Sequence, residues 1–234
     1  MDDEQKEIAK IGAEAAMKPF TELFQKLFGG PSEEIGGMWQ DALQVRRFGR
    51  RLKLLKRVQA LIDKAGFTPK QVSDKLGIPL LNASSLEDDD TLQEKWANLL
   101  VNAAHPTPNL EVQPTFVTIL AELTPSQAFL LDALYRDATK KAERKSLIED
   151  VQYSIFDLKL LHEPPTVPPG QYVIAVTNDF AVMVEVLKRL GLVVEAQDQK
   201  ASPAATRGLL GASKFSLSHL GSAFIKACQP PIRA

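Results

Sequence analysis

The 234-residue chain holds a single cysteine, Cys228, and only three histidines, His105, His162 and His219, all far apart. One cysteine closes no disulfide within the chain and builds no cysteine zinc cluster. The histidines show no ligand spacing, so no metal site is expected. Charge of one sign is missing as well. Lys and Arg number 28 against 29 Asp and Glu, a net charge of −1, so bulk electrostatics favour no class of partner. No apolar run reaches the roughly 20 residues that span a bilayer. The opening MDDEQKEIAK lacks the basic start and apolar stretch of a signal peptide. These absences point to a cytoplasmic protein.

Catalytic signatures are also missing. The chain contains no GxSxG, no phosphate-binding GxxxxGK[ST], no HExxH and no GxGxxG. Gly29-Gly30-Pro31 breaks a helix and is followed by no phosphate-loop lysine. His219 precedes Cys228 by nine residues. That is about two and a half helical turns, too far for one helix to join them as base and nucleophile. The expectation is a protein that is not an enzyme, carries no cofactor and shows no evident small-molecule ligand.

What the chain does have is helical periodicity. Phe20, Leu23, Phe24, Leu27 and Phe28 form one apolar stripe. A long segment over 31–65 places Val45, Phe48, Leu52, Leu55, Val58 and Ile62 on one face, with Gly66 as its stop and Gly36-Gly37 as its weak point. Thr68-Pro69-Lys70-Gln71 and Thr124-Pro125-Ser126-Gln127 both read as a cap, a first-turn proline and a capping-box glutamine. Residues 68–86 have a helix-turn-helix rhythm around Gly77. That rhythm reads as plain helical packing, because the second helix carries no base and runs into four acids. Pro114 opens a helix through Leu123, and further helices cover about 125–145 and 146–161.

HEPPTVPPG at 162–170 has four prolines and reads as a linker. Beyond it the pattern mixes. A strand is expected at 172–176. A helix capped by Asn178 or Thr177 follows, then strands near 192–195 and 215–217, and a last helix capped by Ser218. The expected architecture is therefore mainly α: a helical bundle body over 1–161 and a small winged-helix-like α+β subdomain over 171–234.

Two charged segments stand out. VRRFGRRLKLLKR at 45–57 has seven Lys or Arg and no acid. Its Arg46, Arg47, Arg50, Arg51, Lys53 and Arg57 lie mostly off the apolar face. Such a face suits nucleic-acid phosphates, anionic membrane headgroups in peripheral contact, or an acidic run in the same chain. That run is Glu87, Asp88, Asp89 and Asp90, at the start of a helix built on Leu92, Trp96, Leu99 and Leu100. Asp90 is the expected cap, with Gln93 at the capping-box spacing. Trp96 and Leu99 are expected in the core. Glu94, Asn98 and Asn102 form a polar stripe read as a solvated or helix-contacting face. On the winged-helix-like part, Lys188, Arg189, Lys200, Arg207 and Lys214 are thin support for reading DNA.

The wording of four segments resembles the bacterial abortive-infection alpha family. They are KPFTELFQKLFGG (18–30), EEIGGMWQDALQVRRF (33–48), SLEDDDTLQEKWANLLVNAA (85–104) and QPTFVTILAELTP (113–125). The resemblance covers about residues 1–125 and is looser beyond them. It implies a setting, defence against phage, and supplies no catalytic residues. The expectation is a phage-defence protein acting by non-enzymatic interaction with a protein or membrane partner, or by self-association. The alternative is a nucleic-acid-binding regulator that uses the tail or the basic helix.

Overall fold

A computed structural model describes residues 22–23, 25–28, 42–107, 111–142, 147–164, 176–196 and 214–231. The expected stretch 31–41 with its glycine pair, the strand at 172–175 and the loop 197–213 lie outside them. The described chain is mainly helical, with one three-stranded antiparallel sheet. It divides into two compact units. One runs to Ala121 and resumes at Ala227; the other is Glu122–Lys226.

The first unit contains helices α1 (Ala42–Ala65), α2 (Asp74–Ser84), α3 (Asp90–Ala103) and most of α4 (Pro114–Glu122). Helix α1 buries Phe48, Leu55, Val58 and Ile62 as its period predicts. It also buries Leu54 completely, while Leu52 stays half-exposed. It ends where Gly66 turns to φ +78, a left-handed conformation that glycine adopts without strain. Leu23, Leu27 and Phe28 are buried from the helical residues 22–23 and 25–28.

Residues 67–73 correct the expected cap at Thr68. They form no helix, and their backbone is used by other segments. Lys70 N donates to Ala104 O at 2.8 Å, and Val72 N to Leu27 O at 2.7 Å. These long-range bonds replace the first helical turn. Helix α2 then runs straight through Gly77 and Pro79, so no helix-turn-helix forms. Gly77 serves as packing space, since a Cβ there would lie 2.5 Å from the Phe28 ring.

The second unit holds α5 (Pro125–Ala142), a 3₁₀ turn at Ile148–Asp150, β1 (Tyr153–Ser154), α6 (Ile155–His162), α7 (Asn178–Arg189), β2 (Val193–Ala196), β3 (Lys214–Leu217) and α8 (His219–Ala227). The strands order as β1-β3-β2, with Tyr153 opposite Phe215 and Glu195 opposite Phe215 on the other side. Helix, strand, helix, helix, strand, strand, with the last strand in the middle, is a winged-helix order. It starts at α5, well before residue 171.

The single helix expected over 146–161 is replaced by turn, strand and helix. Ser154 stops it from the inside. Its Oγ accepts from Asp157 N, while Asp157 Oδ2 accepts from Ser154 N, a reciprocal capping box. Just before it, Tyr153 is buried and donates to Asp137 Oδ2 of α5 at 2.7 Å. Lys141 Nζ bridges to the same carboxylate at 2.6 Å and sits 4.6 Å over the Tyr153 ring. Burial, and then Asp137, push the Tyr153 hydroxyl above its ordinary pKa, so it stays a donor.

The other caps fall as their residues predict. Thr124 and Gln127 exchange bonds at 2.8 and 3.3 Å. Thr177 caps α7, Gly191 leaves it at φ +71, and Ser218 Oγ accepts from Gly221 N. Gly221 lies against backbone: a Cβ there would sit 2.2 Å from Leu192 O, a carbonyl already held by Ser218 N at 3.0 Å. Gly221→Ala is therefore expected to cost about 1–3 kcal/mol, the range for overpacking. Thermal unfolding of the purified protein reads it, and an unchanged midpoint would mean that α8 shifts freely.

Candidate functional site: an acidic cap against a basic helix

The basic and acidic segments meet in the first unit. Arg50, Lys53 and Arg57 recur at steps of three and four along α1, which puts them on one stripe. Arg50 Nη1 donates to Leu86 O at 3.0 Å and to Ser85 O at 3.4 Å, and Arg50 Nη2 lies 3.6 Å from Asp88 Oδ2. Lys53 Nζ and Arg57 Nη2 both reach Asp90 Oδ1, at 2.6 and 2.8 Å. Arg57 Nη1 also donates to the backbone carbonyl of Asp90 at 3.3 Å. Arg51 Nη2 donates to Asn82 Oδ1 of α2 at 3.0 Å. Burial, and then the neighbouring Arg47, hold the Arg51 guanidinium below its ordinary pKa. Arg47 is half-buried. The side chain of Arg46 lies outside the described residues.

The four acids have four different partners. Glu87 Oε1 accepts the backbone N–H groups of Asp88 and Asp89, both at 2.9 Å, and so closes the loop. Asp88 faces Arg50 loosely. Asp89, one residue earlier than expected, is the helix cap. Its Oδ1 accepts from Thr91 N at 2.9 Å and Leu92 N at 3.0 Å. Asp90 is thereby the first helical residue, free to turn its carboxylate to α1. Its bonds to Lys53 and then Arg57 hold it below the usual carboxylate pKa.

The shift of the cap moves Gln93 out of capping-box register. Gln93 is buried instead, and its amide donates to Ser84 O and Glu87 O, both at 2.8 Å. It ties the start of α3 to the end of α2. Trp96 and Leu99 are 1% and 0% exposed, in the core as their spacing predicts.

The polar stripe of α3 does more than face solvent. Asn98 is buried and donates to Cys228 O at 3.1 Å. Asn102 donates to Ala227 O and Gln229 O, both at 2.8 Å. The last carbonyls of a helix have no partner within it, and these two amides supply one. Only Glu94 of the stripe stays exposed. The spacing of four placed both Asn on one face; nothing local in sequence names an acceptor 125 to 130 residues away.

In the second unit, two of the cations read as thin support for DNA, Lys188 and Arg189, are engaged, while Lys214 is a half-exposed residue of β3. Lys188 Nζ bonds Glu195 at 2.6 Å and Glu185 at 3.0 Å, and these partners raise its pKa. Arg189 pairs with Glu122 at 2.7 Å. Lys200 and Arg207 lie outside the described residues. Among the described residues no group of three His, Cys, Asp or Glu is placed to hold a metal. No single helix there is long and apolar enough to cross a membrane.

Two substitutions separate the cap from the ion pair. Asp89→Ala is expected to cost about 0.5–2 kcal/mol at any salt concentration, as a lost N-cap does. Asp90→Asn is expected to lower the unfolding midpoint at low salt, with the difference shrinking as salt screens the exposed pair. The sign with pH follows from the lowered Asp90 pKa. Its contribution is present above the unfolded carboxylate value and is lost as pH falls through the folded one. Melting curves from pH 7 down to pH 3 should show wild type losing its advantage over Asp90→Asn.

The family model described as abortive infection alpha matches residues 49–228. Neither a curated protein nor a solved structure matches the chain. The match takes in the basic helix from Gly49, the acidic cap, α3 and the whole of the second unit. It reaches far beyond residue 125, where the resemblance in wording becomes loose, and it leaves out the segments at 18–30 and 33–48. A match over most of the chain settles kinship: the chain belongs to the abortive infection alpha family.

Proposed function

We propose that the protein acts in abortive infection, restricting phage through contact with a protein partner and without performing a reaction of its own. The family supports the setting. The observation that carries the mode is the engagement of the cations. Arg50, Lys53 and Arg57 are committed to the loop at 85–90 and to Asp90, and Lys188 and Arg189 to Glu185, Glu195 and Glu122. A phosphate backbone or an anionic membrane draws its affinity from Lys and Arg that are free to neutralise it. Internal pairing removes much of that term. A partner with mixed polar and apolar chemistry has no such requirement.

Inducible expression in a phage-sensitive bacterium tests the setting. Plaque numbers should fall by an order of magnitude or more, with infected cells dying or arresting before progeny appear. Unchanged plating with the protein expressed would remove the defence reading. The mode is tested on purified protein by gel shift with DNA and RNA and by cosedimentation with anionic vesicles, all at low salt. Neither should bind tightly. Tight binding that Arg50→Ala and Arg57→Ala weaken would instead support the alternative, a regulator acting through the basic helix.

A further inference from the structure

Arg47 is a half-buried cation with no counter-charge among the described residues. Its Nε is out of water and bonds nothing. Arg50, Lys53 and Arg57 on the same helix all have carboxylate or carbonyl acceptors. One turn along α1 from Arg47, at the spacing that puts side chains on one face, stands Arg51. Burial and then Arg47 hold the Arg51 guanidinium below its ordinary pKa, so the two charges lie within reach of each other. Arg51 Nη2 donates to Asn82 Oδ1 of α2 at 3.0 Å. With that oxygen turned to Arg51, exposed Asn82 has its NH2 group to offer a ligand.

Like charges four residues apart weaken a helix, and a cation drawn out of water without an acid costs more. An anion placed between the two arginines removes both costs. The donors present there suit one class of anion. Guanidinium forks match the paired oxygens of phosphates and carboxylates, and an amide adds a further donor. Charge decides between the two. A phosphate monoester carries about −1.5 to −2 near neutral pH, close to the sum of two arginines. A carboxylate or a phosphodiester carries a single charge. We propose that Arg47, Arg51 and Asn82 form a binding site for a phosphoryl dianion, either free phosphate or the end group of a phosphate monoester. The site uses none of the cations held by the acidic cap. It goes beyond the protein-partner reading and does not depend on it.

Calorimetric titration of the full-length protein, in a buffer without phosphate and at matched ionic strength, tests the site. Inorganic phosphate and phenyl phosphate are compared with dimethyl phosphate and acetate. The two dianions should bind about tenfold or more tighter than the two singly charged ions, as a second charge at a half-buried site requires. The tighter of the two dianions tells whether the site takes the free ion or an ester. Arg47→Gln should abolish the binding. Arg47→Lys keeps the charge without the fork and should weaken it about tenfold. Asn82→Asp keeps both arginines and supplies a carboxylate in cis, so it should abolish phosphate binding and raise the unfolding midpoint. Lys64→Gln, at the exposed end of α1, should leave binding unchanged. Melting curves confirm that each variant folds. No phosphate binding by wild type, equal affinity for acetate, or binding retained by Arg47→Gln or Asn82→Asp overturns the proposal.

Discussion

Burial of helix α3 is the constraint on which the first unit depends. Leu92, Trp96, Leu99 and Leu100 are each 2% exposed or less, so one face of the helix is buried along its length. A helix packed this deeply must have its ends satisfied, because unpaired backbone groups out of water are costly. At its start, Asp89 takes the first N–H groups and leaves Asp90 to bind α1. Gln93 then fastens that start to the last turn of α2. At its other end Ala104 O receives Lys70 N, which draws residues 67–73 into an extended path. Truncating Trp96 or Leu99 would leave a cavity worth about 2–5 kcal/mol at this point.

The polar contacts around α3 differ in kind. Asp90 is a mostly exposed carboxylate shared by two cations, and exposed pairs contribute little each. Their effect is to set where α1 lies along the start of α3, since Lys53 and Arg57 converge on one oxygen. Stability comes from the apolar stripe beneath, where Leu54, Leu55, Val58 and Ile62 are buried. The basic segment thus reads as a positioning device between two helices of one unit, with its charges at the surface. The second unit repeats the pattern on a smaller scale, with Lys188 held between a helix acid and a strand acid.

Local chemistry was legible and tertiary chemistry was not. Gly66, Gly191, Thr124 with Gln127, Thr177 and Ser218 all act where the sequence places them, because each effect is complete within a few residues. The pairing of basic helix and acidic run was legible as one reading among several, through complementary charge. The choice of Asp89 over Asp90 was not, because all four acids have the chemistry of a cap and only the approach of α1 distinguishes them. Thr68 has a cap's chemistry and makes none, since Lys70 N and Val72 N just after it donate to Ala104 O and Leu27 O in place of a first helical turn. Strand β1 is two residues long and exists through its pairing with β3, some 60 residues later. Asn98 and Asn102 were legible as a stripe and opaque as to purpose.

Those two asparagines carry a consequence for how the chain is assembled. The carbonyls they hold belong to residues 227–229, which return to the first unit after the whole of Glu122–Lys226 has been made. The first unit is therefore discontinuous, and the winged-helix unit is an insertion within it. On a ribosome, where domains fold as they emerge, the inserted unit is complete before its host. Closure of the host must then span a loop of about 130 residues, an entropic cost that a compact insert reduces by bringing its ends under control. The order of synthesis and the order of completion are thus opposite for the two units.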